Sequence, residues 1–489
     1  MKLLNNAVSN KKSRPIKVLQ FGEGNFLRGF VDYMIDIANE SGDFDGDIVL
    51  VKPIEFGSTE PFKKQECQYT VALRGISDGK EAVSNRIVTS VSDIVDAYLE
   101  YEKYTALSQL DTLRFIVSNT TEAGIVYDET DKLELCPPKT YPGKLTKLLY
   151  ERYTHFSGDK TKGLIILPVE LIDDNGIMLK ECVMKLSSLW KLDESFKAWV
   201  DDSCVFCSTL VDRIITGYPR DEAEKMWEEF GYEDNLIVTG EPFALWVIES
   251  EKDISAEIPL DKAGLQVIFT DNQKPYKQRK VRILNGAHTS FVLASYLTGN
   301  DYVLESMQDE IIREFMNSTI FEEVIPTLTL PEKELCEFAG AVIDRFNNPY
   351  IKHALLSIAL NSVSKWRARC LPSFLGYIEK TGEFPAHLTF SLASLMAFYS
   401  GSEIKDGALI GCRNGQEYKI QDDADVLEFF AEYSNKPTDE FVTSFIGNNK
   451  FFGQNLLELK GLSALITEYL DSIKTIGMRA SLEKYFKQG

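Results

Sequence analysis

Short, uninterrupted apolar runs separated by polar loops mark the first half of the chain. Ile16-Lys-Val-Leu-Gln-Phe21, Asp47-Ile-Val-Leu-Val51, Leu113-Arg-Phe-Ile-Val-Ser118 and Gly163-Leu-Ile-Ile-Leu167 have the length and β-branched content of strands buried on both faces. Tyr69-Thr-Val-Ala-Leu-Arg-Gly75 and Ile87-Val-Thr-Ser-Val91 are strand-like as well. From about Thr289 the pattern changes. Apolar residues recur at helical spacing, as in Phe291-Val-Leu-Ala-Ser-Tyr296 and from Val303 to Phe315, and strand alternation becomes scarce. The pattern predicts an α/β fold: an N-terminal α/β domain over 1–284 and a mainly α-helical, substrate-binding C-terminal domain over 285–489, with a ligand cleft between them. Residues 1–14 are polar and basic and read as a loose arm.

The first strand runs directly into Phe21-Gly22-Glu23-Gly24-Asn25-Phe26-Leu27-Arg28-Gly29 and then into a helical pattern. Strand, Gly-x-Gly, helix is the entry of a Rossmann-like dinucleotide-binding unit. The glycines permit a tight turn and let a pyrophosphate approach the helix N-terminus. The match is incomplete, because Leu27 stands where a third glycine is usual. Lys52-Pro53 ends the second strand where an acid commonly meets the ribose 2′-hydroxyl, and Glu55 is the nearest acid. That leaves NAD and NADP both open. The strand at 113–118 ends in Asn119-Thr120-Thr121-Glu122-Ala-Gly124, a helix cap or a ligand loop at a strand's carboxyl end.

Composition narrows the function. In 489 residues no apolar run reaches a membrane span. The N-terminus lacks the long apolar core of a signal peptide, so cytoplasmic residence is expected. A net charge of −21 argues against nonspecific nucleic-acid or anionic-membrane binding, though not against a small anion held by a local cationic cluster. Eight cysteines form no disulfide framework, and the one close pair, Cys204 and Cys207, has neither a second Cys-x-x-Cys nor a nearby histidine. The four histidines, at 155, 288, 353 and 387, form no ligand pair, and no metal is expected.

Candidate chemistry concentrates in Lys280-Val-Arg-Ile-Leu-Asn285-Gly-Ala-His288. On a helix, at about 100° per residue, Lys280, Asn285 and His288 stand at roughly 0°, 140° and 80°, within one face. A carbonyl under reduction needs a proton donor and hydrogen-bond donors at its oxygen, and this trio offers both. Spacing alone equally fits an ordinary amphipathic helix with a solvated lysine.

The Lys-x4-Asn-x2-His string resembles the signature of the polyol-specific long-chain dehydrogenases, the mannitol dehydrogenase family. So do Phe-Gly-Glu-Gly-Asn-Phe-Leu-Arg-Gly at 21–29, Val211-Asp212-Arg213-Ile214, the Glu241–Glu249 string and Arg345-Phe-Asn-Asn-Pro349. The resemblance spans almost the whole chain. It implies that Lys280 is the general acid/base and that Asn285 and His288 bind the reacting oxygen. It also implies NAD as cofactor, held by Phe21, Gly22, Gly24, Asn25, Phe26, Arg28, Asn119, Thr120 and Glu122. Two departures bear on the substrate. Glu170-Leu171 replaces the family's Asp-Asn, leaving Asn175 as a candidate second oxyanion ligand. Ser357 replaces an arginine that contacts polyol hydroxyls. With Arg345, Lys352, His353, Lys365, Arg367 and Arg369 available for a carboxylate, and Asp212 near the substrate region, the chain looks like the family's branch acting on a sugar acid, tagaturonate. Fructuronate reduction and mannitol-type polyol oxidation are the alternatives. A non-catalytic NAD sensor on the same fold should have lost Lys280 or His288. The sequence does not indicate an oligomeric state.

Overall fold

The computed structural model describes residues 1–120 and 124–487. The chain forms two compact units, one of residues 1–74 with 81–273, the other of 75–80 with 274–489. The expected division after residue 284 would cut a continuous helical segment. Lys274–Arg279, a π-helical turn at Lys280–Asn285 and the helix Gly286–Thr298 follow one another without a break, all in the second unit.

The first unit is built on a parallel sheet of β1 (Ile16–Phe21), β2 (Asp47–Lys52), β3 (Val91–Asp96), β4 (Phe115–Ser118), β5 (Ile165–Pro168) and β6 (Val205–Phe206). Their order is β3-β2-β1-β4-β5-β6, the doubly wound Rossmann arrangement. Alternation explains the continuous apolar runs. Val18, Leu50 and Val117 join the core on one face, and Leu19, Val51 and Ile116 join the core on the other. Strand order reverses between β1 and β4, and Phe21 and Ser118 end these strands side by side.

Two expectations need correcting, and a third holds with one addition. The N-terminal arm is docked: Lys2–Leu3 pairs in parallel with Tyr232–Glu233, Leu4 is fully buried, and Lys11 donates to the Glu66 carbonyl. The run at 87–91 is no single strand. Thr89 turns its N–H and hydroxyl to Asp36, and Ser90 turns its hydroxyl to the Asp32 carbonyl, so one strand ends at Val88 and β3 begins at Val91. The second unit is mainly helical yet carries a three-stranded antiparallel sheet, Ile404–Lys405, Ala408–Arg413 and Gln416–Ile420. Its hairpins turn at Asp406-Gly407 and Asn414-Gly415, with all four residues at positive φ, the backbone that two-residue hairpin loops require. Among the described residues, no helix is long and apolar enough to cross a membrane.

Candidate active site

In the first unit, the loops after β1 and β4 meet at the point where an open α/β sheet binds its ligand. Gly22 has φ +119°, and a Cβ there would approach the Asn119 carbonyl oxygen at 3.2 Å, so glycine is required for the two loops to touch. Gly24 is exposed, open on its outer side, and begins the helix with no side-chain cap. The N–H groups of that first turn are therefore left for an anion, which fits a dinucleotide pyrophosphate. The helix then widens into a π-turn at Arg28–Asp32 before resuming at Tyr33–Ser41.

The predicted cofactor residues divide into two groups. Gly22, Gly24, Asn25, Asn119 and Thr120 lie on the two loops, and half-buried Phe26 stacks on Phe30 at 5.1 Å. Phe21 and Arg28 are not surface contacts. Phe21 is fully buried against Tyr141 and Tyr104, so only its backbone faces the loop. Arg28 is 6% exposed. It donates to the Leu236 carbonyl (2.5 Å) and to Asn25 Oδ1 (2.6 Å), over the rings of Tyr69 and Phe62. Its charge holds the glycine loop from beneath. Glu122 lies outside the described residues.

A residue that the sequence reading passed over ties the second loop down. The buried Glu170 carboxylate accepts from Ser118 Oγ (3.1 Å), Thr120 N (3.0 Å) and Thr120 Oγ1 (2.9 Å). Burial holds this carboxyl above its usual range, although the three donors favour the anion. The replacement of the family's Asp-Asn was the only signal in the sequence. Asn175, the candidate oxyanion ligand, is occupied. Its Nδ2 donates to the carbonyls of Pro168, Glu170 and Thr209, and its Oδ1 accepts from Thr209 N at 2.9 Å, all with no exposure. An amide so saturated is a brace between β5 and the strand Ser208–Asp212, and no donor remains for a ligand. Asp212 ends that strand, buried, opposite Leu245. Arg213 donates to the carbonyls of Gly29, Glu241, Pro242 and Phe243, a structural role made with backbone rather than as an ion pair.

In the second unit, Lys280 and Asn285 bound the π-turn, and His288 lies in the first turn of α1 (Gly286–Thr298). The Gly286 N–H bonds the Val281 carbonyl, an i→i+5 contact. Each residue of this wider turn subtends less than 100°, which brings positions 280 and 285 closer to one line than an α-helical wheel allows. Such turns recur at functional sites.

The His288 ring packs on Phe346 (4.2 Å), beside His353 (5.4 Å) and Phe291 (6.0 Å). Its Nε2 is buried with no hydrogen-bond partner among the described residues. Burial first, then the positive field of His353, Arg345, Arg369 and Lys365, holds its pKa well below the ordinary histidine value, so the ring is neutral near pH 7. Those four neighbours come from three segments. Arg345 is buried near the end of α2 (Glu332–Phe346), and His353 follows in the next loop. Lys365 and Arg369 lie four apart on α3 (Ser362–Arg369). Lys365 Nζ donates to the Ile358 carbonyl (2.9 Å), and burial lowers its pKa. Arg369 reaches Thr289 Oγ1 at 3.4 Å. Lys352 and Arg367 belong elsewhere: both are exposed, and Arg367 donates to the Lys450 carbonyl. Ser357 is exposed, and its hydroxyl turns back to the Ala354 carbonyl. Among the described residues, no group of three His, Cys, Asp or Glu side chains could hold a metal ion.

The family model for the mannitol dehydrogenase Rossmann domain matches residues 16–262, and that for the mannitol dehydrogenase C-terminal domain matches 272–474. The chain is 45% identical over 492 residues to the altronate oxidoreductase of Pectobacterium carotovorum subsp. carotovorum (strain PC1), covering 99% of this chain and 100% of the relative. It is also 45% identical over 489 residues to that of Escherichia coli O7:K1, covering 99% of each. Among solved structures it is similar to a D-sorbitol dehydrogenase in substrate-free form, with a TM-score of 0.79 at 21% identity over 98% of this chain and all of that one. It is similar also to Pseudomonas fluorescens mannitol 2-dehydrogenase in ternary complex with NAD and D-mannitol, with a TM-score of 0.66 at 20% identity over the full length of both chains. With the two domain models matched in tandem and relatives aligned from end to end, this chain belongs to the mannitol dehydrogenase family of oxidoreductases acting on CH–OH groups.

Proposed function

We propose that the chain is an NAD(H)-dependent, metal-independent reductase that interconverts tagaturonate and altronate in hexuronate breakdown. The observation that carries this reading is the surroundings of His288: a neutral imidazole with an unpartnered buried nitrogen, ringed by Arg345, His353, Lys365 and Arg369. A neutral polyol has no use for the three charges of Arg345, Lys365 and Arg369, whereas a sugar acid carries the charge that matches them; burial lowers the His353 pKa, so this ring serves as a neutral neighbour. Relatives named altronate oxidoreductase, aligned over the full length, support the same choice.

Bound NADH would supply the hydride. The chain's own residues handle the oxygen. Asn285 and His288 direct hydrogen bonds at the ketone, contacts that strengthen as negative charge develops there. Lys280 delivers the proton that converts the alkoxide to the hydroxyl, and takes it back in the reverse direction. His288 must be neutral with its proton on the nitrogen facing the oxygen, and its depressed pKa keeps it neutral. The carboxylate at the far end of the substrate is held by the cationic cluster, and this remote binding positions the ketone for attack.

The test follows nicotinamide absorbance with the purified protein over tagaturonate, fructuronate, fructose and mannitol. Tagaturonate and altronate should give the highest kcat/KM. Preference for fructuronate would move the protein to the neighbouring sugar-acid activity, and fructose turned over as well as tagaturonate would show that no carboxylate is being read.

A further inference from the structure

Where β2 ends, this chain places a lysine instead of an acid, and the lysine is not free. Lys52 is 1% exposed. Its Nζ lies 2.8 Å from Asp96 Oδ2, the last residue of β3 and its partner in strand register, and it also donates to the Ile54 carbonyl at 2.5 Å. The other oxygen, Asp96 Oδ1, caps the N–H groups of Tyr98 and Leu99 at 2.9 and 3.0 Å. The acid that a Rossmann unit commonly carries at the end of its second strand is thus supplied here by the third strand, with a lysine locked against it. The loops that leave these two strands also expose large apolar side chains side by side in sequence with the pair: Ile54 (54%), Phe56 (79%) and Leu99 (85%). Exposed apolar side chains on the loops at the carboxyl ends of these adjacent strands suit a flat heterocycle with a polar sugar.

We propose that the Lys52–Asp96 pair sets the preference between NAD(H) and NADP(H), with Asp96 as the discriminating residue. The inference rests on the dinucleotide reading above and names the groups that choose between its two forms. With Asp96 in place, the lysine charge is cancelled, Glu55 stands nearby on the exposed loop, and a 2′-phosphate meets no net positive charge. Without Asp96 the same lysine leaves a positive charge uncancelled beneath the loop, and its field favours a 2′-phosphate. Without Lys52, the buried Asp96 carboxylate, still capped by Tyr98 and Leu99, leaves a negative charge uncancelled, and its field disfavours a 2′-phosphate.

The two single variants therefore shift selectivity in opposite directions, which a purely structural ion pair would not do. The readout is the dissociation constant of NADH and of NADPH, measured without substrate by nicotinamide fluorescence on full-length protein, with a thermal melt to confirm folding. Wild type should bind NADH at least about tenfold more tightly than NADPH, the size of one charge-assisted contact. Asp96→Asn keeps the Oδ1 acceptor for Tyr98 and Leu99 while an amide NH2 replaces the oxygen that pairs with Lys52, removing both the negative charge and the lysine's partner, so the ratio should shift about tenfold or more toward NADPH. Lys52→Met should move it further toward NADH, and this variant decides the matter if Asp96→Asn fails to fold. Unchanged ratios in folded variants, shifts in one common direction, or a wild type that prefers NADPH would each overturn the inference while leaving a dinucleotide enzyme. A wild type that binds neither dinucleotide would overturn the cofactor reading and this inference with it.

Discussion

Asn175 separates a ligand role from a structural one most sharply. The side chain makes four hydrogen bonds inside the first unit, three donated to backbone carbonyls and one accepted from Thr209 N, and has no exposed surface. Asn175→Ala removes all four. A net value of about 0.5–1.5 kcal/mol per bond gives a cost of roughly 2–6 kcal/mol, and the upper half applies where the abandoned groups stay buried without water. For a unit of this size, each kcal/mol moves the melting temperature by about 2–4 °C, so with a cost in that upper half the variant should melt roughly 8–24 °C below wild type. Urea unfolding should show a lower midpoint with an unchanged m-value. At a temperature where both proteins are folded, KM for the sugar acid should change less than about threefold, because no Asn175 donor is free to meet it. A variant that melts within about 2 °C of wild type but loses tenfold or more in KM would refute this reasoning and return Asn175 to the substrate.

The remaining expectations concern the second unit. Lys280→Ala should lose orders of magnitude in kcat while binding NADH normally by fluorescence titration, and retention of more than about a tenth of wild-type turnover would remove Lys280 from the chemistry. Lys365→Ala and Arg369→Ala, measured on tagaturonate and on fructose, should each cost about ten- to a hundredfold on the acid if that residue is the anchor, and little on the neutral ketose. Loss of the anchor should exceed the effect of Arg367→Ala, whose side chain is exposed and does not act on His288. The depressed pKa of His288 fixes the sign of an acid effect. Below about pH 6.5 the unfolded chain takes up a proton at this histidine that the folded protein refuses, so stability is retained above that pH and falls below it, by at most about 1.4 kcal/mol per pH unit. His288→Gln should therefore flatten the pH dependence of urea unfolding between about pH 6.5 and 5, and a wild-type slope identical to the variant's would contradict the assigned burial. Dialysis against EDTA should leave kcat unchanged, and activity lost to EDTA but restored by zinc would overturn the metal-independent mechanism.

The sequence by itself determined what depends on local pattern. β1, β2, β4 and β5 could be read from runs of residues apolar on both faces, because a parallel strand covered on both sides leaves no polar alternation to hide it. The Gly-x-Gly turn was legible because φ near +119° at Gly22 and contact with Asn119 leave no room for a side chain. Asp406-Gly407 and Asn414-Gly415 carried an equally local hairpin signal inside a helical background, and the helical period around them masked it.

Tertiary structure decided which polar residues have capacity to spare. Arg28 and Asn175 sit in strings that look functional, yet Arg28 reaches the Leu236 carbonyl besides its neighbour Asn25, and Asn175 holds the Thr209 carbonyl besides those of Pro168 and Glu170, and nothing in a sequence shows where a carbonyl 208 or 34 residues away will lie. The same holds for the cations near α3. Lys365 and Arg369 approach His288 while Arg367, between them, does not, because helical direction and the contacts of Gly286–Thr298 sort residues that spacing leaves equivalent. Lys52 is the strongest case: on the page of the sequence it is a cation poised for a phosphate, and only the pairing of β2 with β3 brings up the Asp96 carboxylate that cancels it. Hydrophobic period is a property of neighbours along the chain, whereas the saturation of a polar group is a property of neighbours in space.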